Sequence, residues 1–212
     1  MSTDVTPSAE VIATTTDGQI SKAIGNYRAL LEKHAPEFTS EAFQKGLGHP
    51  NLAIEMFALL RKYIEMFSKL ITRVVSRIDR TLSPREVLKN TGRKQYVEND
   101  VVETIPRGMG DTKTIVFFKL DLSERGGVIS DDNLEKEFRL RKLKPDPYTL
   151  ARVNQDDPTF ADKYPNATHW RDENGKWCYV VFRQWIDDER IVSVSRNDNW
   201  WDDAWWFAGV PE

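Results

Sequence analysis

All seven tryptophans of this 212-residue chain lie between Trp170 and Trp206, and four of them fall within the run Trp200-Trp201-Asp202-Asp203-Ala204-Trp205-Trp206. A Trp side chain buries roughly 150 to 250 Å² and needs a partner for its ring N–H. Such a concentration commits the C-terminal part to a sheet core, a docking face, or both. If Trp200 to Phe207 is extended, alternate rings point to opposite faces, and one sheet face cannot hide them all. If it is helical, Trp201 and Trp205 share one side, and Asp202 and Asp203 lie one turn before Trp206. Either way some indole surface is left for a partner. Trp177 and Trp185 read as meander core, and Trp200, Trp201, Trp205, Trp206 and Phe207 as an edge cover offering partner-binding surface of the kind enriched at hot spots.

The meander itself is read from its turns. Asn174-Gly175 is a tight-turn signal joining a strand around Thr168 to Trp170 with one from Trp177 to Trp185. Asp187-Asp188-Glu189 turns into a third strand, Arg190 to Arg196. Upstream, Thr112 to Leu122 reads as a strand, and Ser130 as the cap of a helix that buries Leu134 and Phe138, with Asp131 and Asp132 complementing its dipole. Asp146-Pro147 and Asp157-Pro158 each pair a capping side chain with proline at the first helical position, predicting two short helices.

The strongest periodicity lies earlier. Phe57, Leu60, Ile64, Phe67, Ile71, Val74 and Ile78 recur in steps of three and four, a coiled-coil seam over three heptads. The spacing predicts one helix from about Asn51 to Arg80, roughly 45 Å long. Its charged residues Lys62, Glu65, Lys69 and Arg73 exclude a bilayer span. Before it, a helix that starts after Asp17 and runs to about His34 carries Ile20, Ile24, Tyr27, Leu30 and Leu31 on one side, Pro36 stops it, and Ser40 caps a short second helix. The first helix is about half as long as the seam, so part of the seam is left for another copy. Ser83-Pro84 opens a further short helix, and Pro106, Gly108 and Gly110 mark a loop and domain boundary. The predicted organisation is α+β: a flexible leader over 1–16, a helical segment over 17–105 with an oligomerisation region, and an α+β domain over 106–212 with the Trp-rich meander.

Charge is uneven along the chain. Residues 61 to 94 hold ten basic side chains against three acidic ones, whereas residues 145 to 212 hold seven basic and thirteen acidic. The basic stretch makes single-stranded nucleic acid an alternative partner, through Arg73, Arg77, Arg80, Lys89, Arg93 and Lys94. The common origin of such a run is the solvated face of a helix, and the C-terminal aromatics stand among acids that repel phosphate.

Little else carries chemistry. Cys178 is the sole cysteine and sits in an apolar strand pattern, so it reads as a small buried side chain rather than a thiol nucleophile. His34, His49 and His169 are too scattered to suggest zinc. Asp187, Asp188, Asp198, Asp202 and Asp203 lie at turns that a meander gathers at one end; read as a magnesium site they would make a carboxylate-dependent enzyme, and read plainly they are solvated turn acids. There is no Gly-x-Ser-x-Gly elbow, and Gly46-Leu47-Gly48 and Gly108-Met109-Gly110 lack the rest of a phosphate loop. No catalytic residue, metal or cofactor is assigned. The polar opening Met1 to Pro7 lacks the basic start and apolar run of a secretory signal, which places the chain inside the cell that makes it. A non-enzymatic assembly protein, acting as a homo-oligomer or with a protein partner and without a membrane, is the leading expectation, and a viral particle is one setting that suits it.

Overall fold

In the computed structural model the described residues are 16–67, 69–197 and 200–212; the expected leader and Asp198 lie outside them, apart from Thr16. The chain divides into two compact units, Met1–Ser68 and Lys69–Glu212.

The first unit is helical: α1 (Asp17–His34), α2 (Ser40–Leu47) and α3 (Leu52–Phe67). Thr16 opens α1 with a capping box, its hydroxyl accepting the Gln19 N–H while the Gln19 side chain accepts the Thr16 N–H at 2.9 Å. A short 3₁₀ turn through Pro36 ends it. The cap of α2 is Thr39, which accepts the Ala42 N–H at 3.2 Å, one residue before the expected Ser40.

The 30-residue helix expected over 51–80 is not formed. α3 stops at Phe67, and Leu70–Val75 is a strand, β1. Phe57 and Leu60 therefore sit on α3, and Ile64 and Phe67 share its backbone but their side chains lie outside the described ones. Ile71 is instead a sheet-core residue and Val74 lies on the edge strand, 75% exposed. The sequence Ile71-Thr72-Arg73-Val74-Val75 is β-branched at four of five positions. Such side chains lose χ1 freedom in a helix and pack well on a pleated surface, so composition outweighs a period that three- and four-residue steps imitate.

The second unit follows as α4 (Pro84–Asn90), β2 (Lys94–Val97), α5 (Asn99–Val102), β3 (Lys113–Lys119), β4 (Val128–Ile129), α6 (Asp131–Leu140), β5 (Leu143–Lys144), α7 (Pro147–Asp156), α8 (Phe160–Lys163), β6 (Asn166–Arg171), β7 (Trp177–Gln184), β8 (Arg190–Arg196), β9 (Trp201–Asp202) and β10 (Trp206–Pro211). An eight-stranded mixed sheet runs β1-β3-β10-β6-β7-β8-β2, with β5 on β10. β6, β7 and β8 form the expected antiparallel meander, with Asn174-Gly175 turning at Gly175 φ 74°. β2 joins β8 in parallel, and β10 lies antiparallel to β3 and parallel to β6. Residues 70–105 thus belong to the sheet unit, and the boundary expected near 105 falls at 68.

Local devices place the helices. Ser83 and Glu86 form a capping box before Pro84, and Asp146 caps α7 by accepting the Thr149 N–H at 3.0 Å. Asp157 does not repeat the device: its carboxylate holds the Thr159 backbone and hydroxyl in a turn before α8. Helices cover both sheet faces. Leu88, Val101, Leu150 and Phe160, from α4, α5, α7 and α8, pack with Ile71, Phe117 and Val180 on one face. Leu134 and Phe138 of α6 pack with Phe118, Ala167 and Phe207 on the other. A Cβ at Gly209 would come within 2.9 Å of the Phe138 ring, so only glycine admits that approach.

Candidate interaction site

The tryptophan run is mostly core. β10 is a central strand, so both of its faces are covered: Trp206 (7% exposed) faces one cluster, and Phe207 (1%) the other. Trp201 is 4% exposed and packs edge-on against Tyr179, Trp205 and Phe207 at 5.5 to 5.8 Å between centroids. The expected partner surface Trp200, Trp201, Trp205, Trp206 and Phe207 shrinks to Trp200, which is 64% exposed, and the half-buried Trp205. A partner surface there requires an edge position, which a strand inserted between β3 and β6 does not have.

Beneath the run lies a buried polar centre that sequence reasoning does not reach. Asp131, at the start of α6, accepts from the Trp201 indole at 2.8 Å and the His169 Nδ1 at 2.8 Å on Oδ1, and from the Asn197 amide at 2.5 Å on Oδ2. His169 lies between the Trp177 ring, at 4.5 Å and 6° interplanar, and the Phe138 ring at 5.2 Å. Arg171 caps the stack 4.0 Å from Trp177, whose N–H donates to Asp132 at 2.9 Å. The His169 Nε2 has no hydrogen bond among the described residues and stands 3.8 Å from a Glu135 oxygen. His169 has no exposed surface, and through Asp131 it ties α6, β6 and the Trp loop together. Asp131 and His169 are 38 residues apart, and no local pattern announces that pair.

The basic stretch is dispersed. Arg80 is spent on Asp146, with two bonds of 2.6 and 2.8 Å. Arg93 is buried, bonded to the Pro158 carbonyl at 2.8 Å, and burial lowers its pKa to about 10. Lys94 is exposed but pairs with Glu189 at 3.0 Å, and Arg73 stands 5.2 Å over the Phe160 ring. Arg77 and Lys89 are also exposed. With Arg80 bonded to Asp146 and Arg93 buried, these six side chains do not form one exposed basic cluster.

The turn carboxylates keep turn roles. Asp187 and Asp188 both take left-handed backbone, φ 67° and 60°, between β7 and β8, and Asp188 accepts from Gln184 at 2.9 Å. Asp202 accepts the Ala204 N–H at 3.0 Å. Among the described residues no three His, Cys, Asp or Glu side chains are grouped to hold a metal ion. Cys178 is buried in the sheet, and desolvation raises its pKa.

The helical unit presents the contrasting surface. No residue of α1 or α2 is buried. Ten of the eighteen exposed large apolar side chains among the described residues belong to residues 16–67, including Ile24 at 63%, Leu30 at 55%, Ile54 at 67% and Phe57 at 56%. On α1, Ile20, Ile24, Tyr27 and Leu30 recur at helical spacing, which makes an amphipathic stripe. A groove of about 230 Å³ opens between Tyr27, Leu31, Phe43 and Leu52. The polar side is paired within helices, by Arg28–Glu32 and Lys45–Glu41 at 2.8 Å each. Residues 17–67 carry six basic and six acidic side chains, so the three helices together are neutral. No helix among the described residues is long and apolar enough to cross a membrane.

Comparisons with protein-family models, curated proteins and solved structures found no match.

Proposed function

We propose that this chain is a non-enzymatic assembly protein that acts as an oligomer of identical copies, joined through the apolar faces of α1, α2 and α3. The observation that carries this reading is the contrast between the units: the sheet unit holds a two-faced core, whereas α1 and α2 bury nothing. At roughly 150 to 200 Å² per complete side chain, the ten exposed apolar residues present on the order of 900 Å². That total, spread over three helices, is comparable with the roughly 800 Å² per partner of a standard interface.

Charge selects a second copy as the occupant. A neutral surface meets itself without net repulsion, whereas helices that lie on lipid carry an excess of Lys and Arg on the polar side. The oligomerisation set is accordingly revised from the heptad seam to Ile20, Ile24, Leu30, Ile54, Phe57 and Leu60, of which only Phe57 and Leu60 belong to that seam.

Light scattering on the full chain tests this. The wild type is expected as a dimer or larger at micromolar concentration, and Ile24→Asp with Phe57→Asp as a monomer with an unchanged sheet unit, because both side chains are more than half exposed. A wild-type monomer at every concentration would remove the proposal.

A further inference from the structure

The sheet unit holds a second surface that assembly does not use. Between α4, α7 and the segment 76–83 lies a cavity of about 310 Å³, at the lower end of the roughly 300 to 1,000 Å³ usual for small-molecule sites. Helical spacing aims its walls: Tyr148, Arg152 and Gln155 share one side of α7, and Val87 and Asn90 one side of α4. Leu82, Val87 and the Tyr148 ring supply apolar lining, and Arg77, Asn90, Arg152 and Gln155 supply donors.

The third wall is a segment without helix or strand that is nonetheless held rigidly. Arg107 donates to the carbonyls of Arg80, Thr81 and Leu82 at 3.0 to 3.1 Å. The Tyr148 hydroxyl donates to the Leu82 carbonyl at 2.9 Å. Arg80 is clamped by Asp146 and Thr149, and Gly108 packs so tightly on Arg80 and Asp146 that a Cβ there would come within 2.9 Å of both. Ile78 donates to the Asp111 carbonyl at 2.9 Å. Rigid support of this kind is what preorganised binding sites require.

Arg77 is the anomaly within that wall. Its backbone is left-handed, φ 59°, a region glycine occupies freely and a long side chain at a cost. Its guanidinium makes no hydrogen bond or ion pair among the described residues. An unfavourable backbone that presents an unpaired cation to a rigid cavity is strain of the type that collects at ligand clamps. Arg152 is held by Asp156 at 2.7 Å, and Asp79 is turned to Thr81, bonded at 2.6 Å. Arg77 is therefore, among the described residues, the lining's cation without a carboxylate partner, and a single guanidinium suits a monoanion rather than a dianion.

We infer that this cavity binds a small organic carboxylate with a flat apolar body, its carboxylate on the Arg77 fork and its body on Leu82, Val87 and Tyr148. The fork geometry of guanidinium suits a carboxylate in two parallel bonds.

Ligand-observed NMR titration of the full chain with sodium benzoate tests this, with benzyl alcohol and phenyl phosphate as the neutral and dianionic arms. Benzoate is expected to bind with a Kd of about 1 mM, a reasonable value for so few atoms. Benzyl alcohol should bind at least about tenfold more weakly, the loss of a charged hydrogen bond, and phenyl phosphate no more tightly than benzoate. Arg77→Gly suits the left-handed backbone, so it should leave the urea midpoint at or above wild type while weakening benzoate at least about tenfold. Arg77→Gln should weaken benzoate to the same extent, and serves in its place should the glycine variant fail to fold. No benzoate binding at about 10 mM, tighter phenyl phosphate, or equal binding by wild type and both variants, overturns the inference. The oligomer can fail its own test without affecting this one, because no cavity residue belongs to α1, α2 or α3.

Discussion

Replacing Trp201 with Phe removes one ring N–H and part of one ring from the sheet unit. The indole donates to Asp131 at 2.8 Å inside a site where Trp201 is 4% exposed. Asp131 keeps its bonds from His169 and Asn197 but loses a third, and a hydrogen bond to a charged group contributes about 1.5 to 3 kcal/mol. The smaller ring leaves a void between Tyr179, Trp205 and Phe207 that adds about 1 kcal/mol. The expected loss is therefore about 3 kcal/mol, a large part of the 5 to 15 kcal/mol typical of a domain. Tryptophan emission is the suitable signal, because every remaining Trp lies in the sheet unit and reports that unit alone. With a urea slope of about 2 kcal/mol/M, the midpoint should fall by about 1.5 M. Trp200→Phe is the control: at 64% exposure it should shift stability by no more than about 0.5 kcal/mol. A Trp201→Phe midpoint within about 0.3 M of wild type would refute the reading of the cluster as core around a satisfied carboxylate.

Ile71→Asp should unfold the sheet unit, because Ile71 is 1% exposed on the core face of β1, whereas Val74→Asp, 75% exposed, should be tolerated; equal effects in thermal melts would favour the single long helix instead. Acid should weaken the sheet unit in a defined window. The Ser83 hydroxyl and backbone hold the Glu86 carboxyl below its ordinary 4.5, and the backbone N–H groups of Lys176 and Asn174 hold Asp172 below its ordinary 3.8. A depressed folded-state pKa gives stability that is complete above the unfolded value and lost as pH falls through the folded one. Urea midpoints should accordingly stay level from pH 7 to about 5 and drop below about 4, with a shallower drop in Glu86→Gln; an identical profile in that variant would show that the capping box contributes nothing to the fall.

What the sequence made legible was local. Ser83-Pro84 and Asp146-Pro147 announce their caps because the side chains bond backbone three residues away, and Asn174-Gly175 announces its turn because Gly175 takes left-handed backbone freely. Thr112 to Leu122 and Arg190 to Arg196 are readable because β-branched and aromatic residues there leave little choice of structure. The larger failures were matters of long-range pairing. Ile71 becomes a strand residue through Phe117, its partner in register, and Trp206 becomes core because β10 enters between β3 and β6, a choice no window of residues records. The Asp131–His169–Trp201 centre and the cavity at Arg77 likewise assemble from distant segments. For β1 a signal was present, the dense β-branching after Lys69, and a count of it against the heptad period would have ended the helix where the structure does.

Coverage of α1, α2 and α3 by a second copy is tested most directly by hydrogen exchange of the full chain at concentrations spanning about a hundredfold. Protection of amides in residues 17–67 should rise with concentration while amides in β3, β6 and β10 exchange at a constant rate. Protection in 17–67 that does not change with concentration would contradict assembly through these helices.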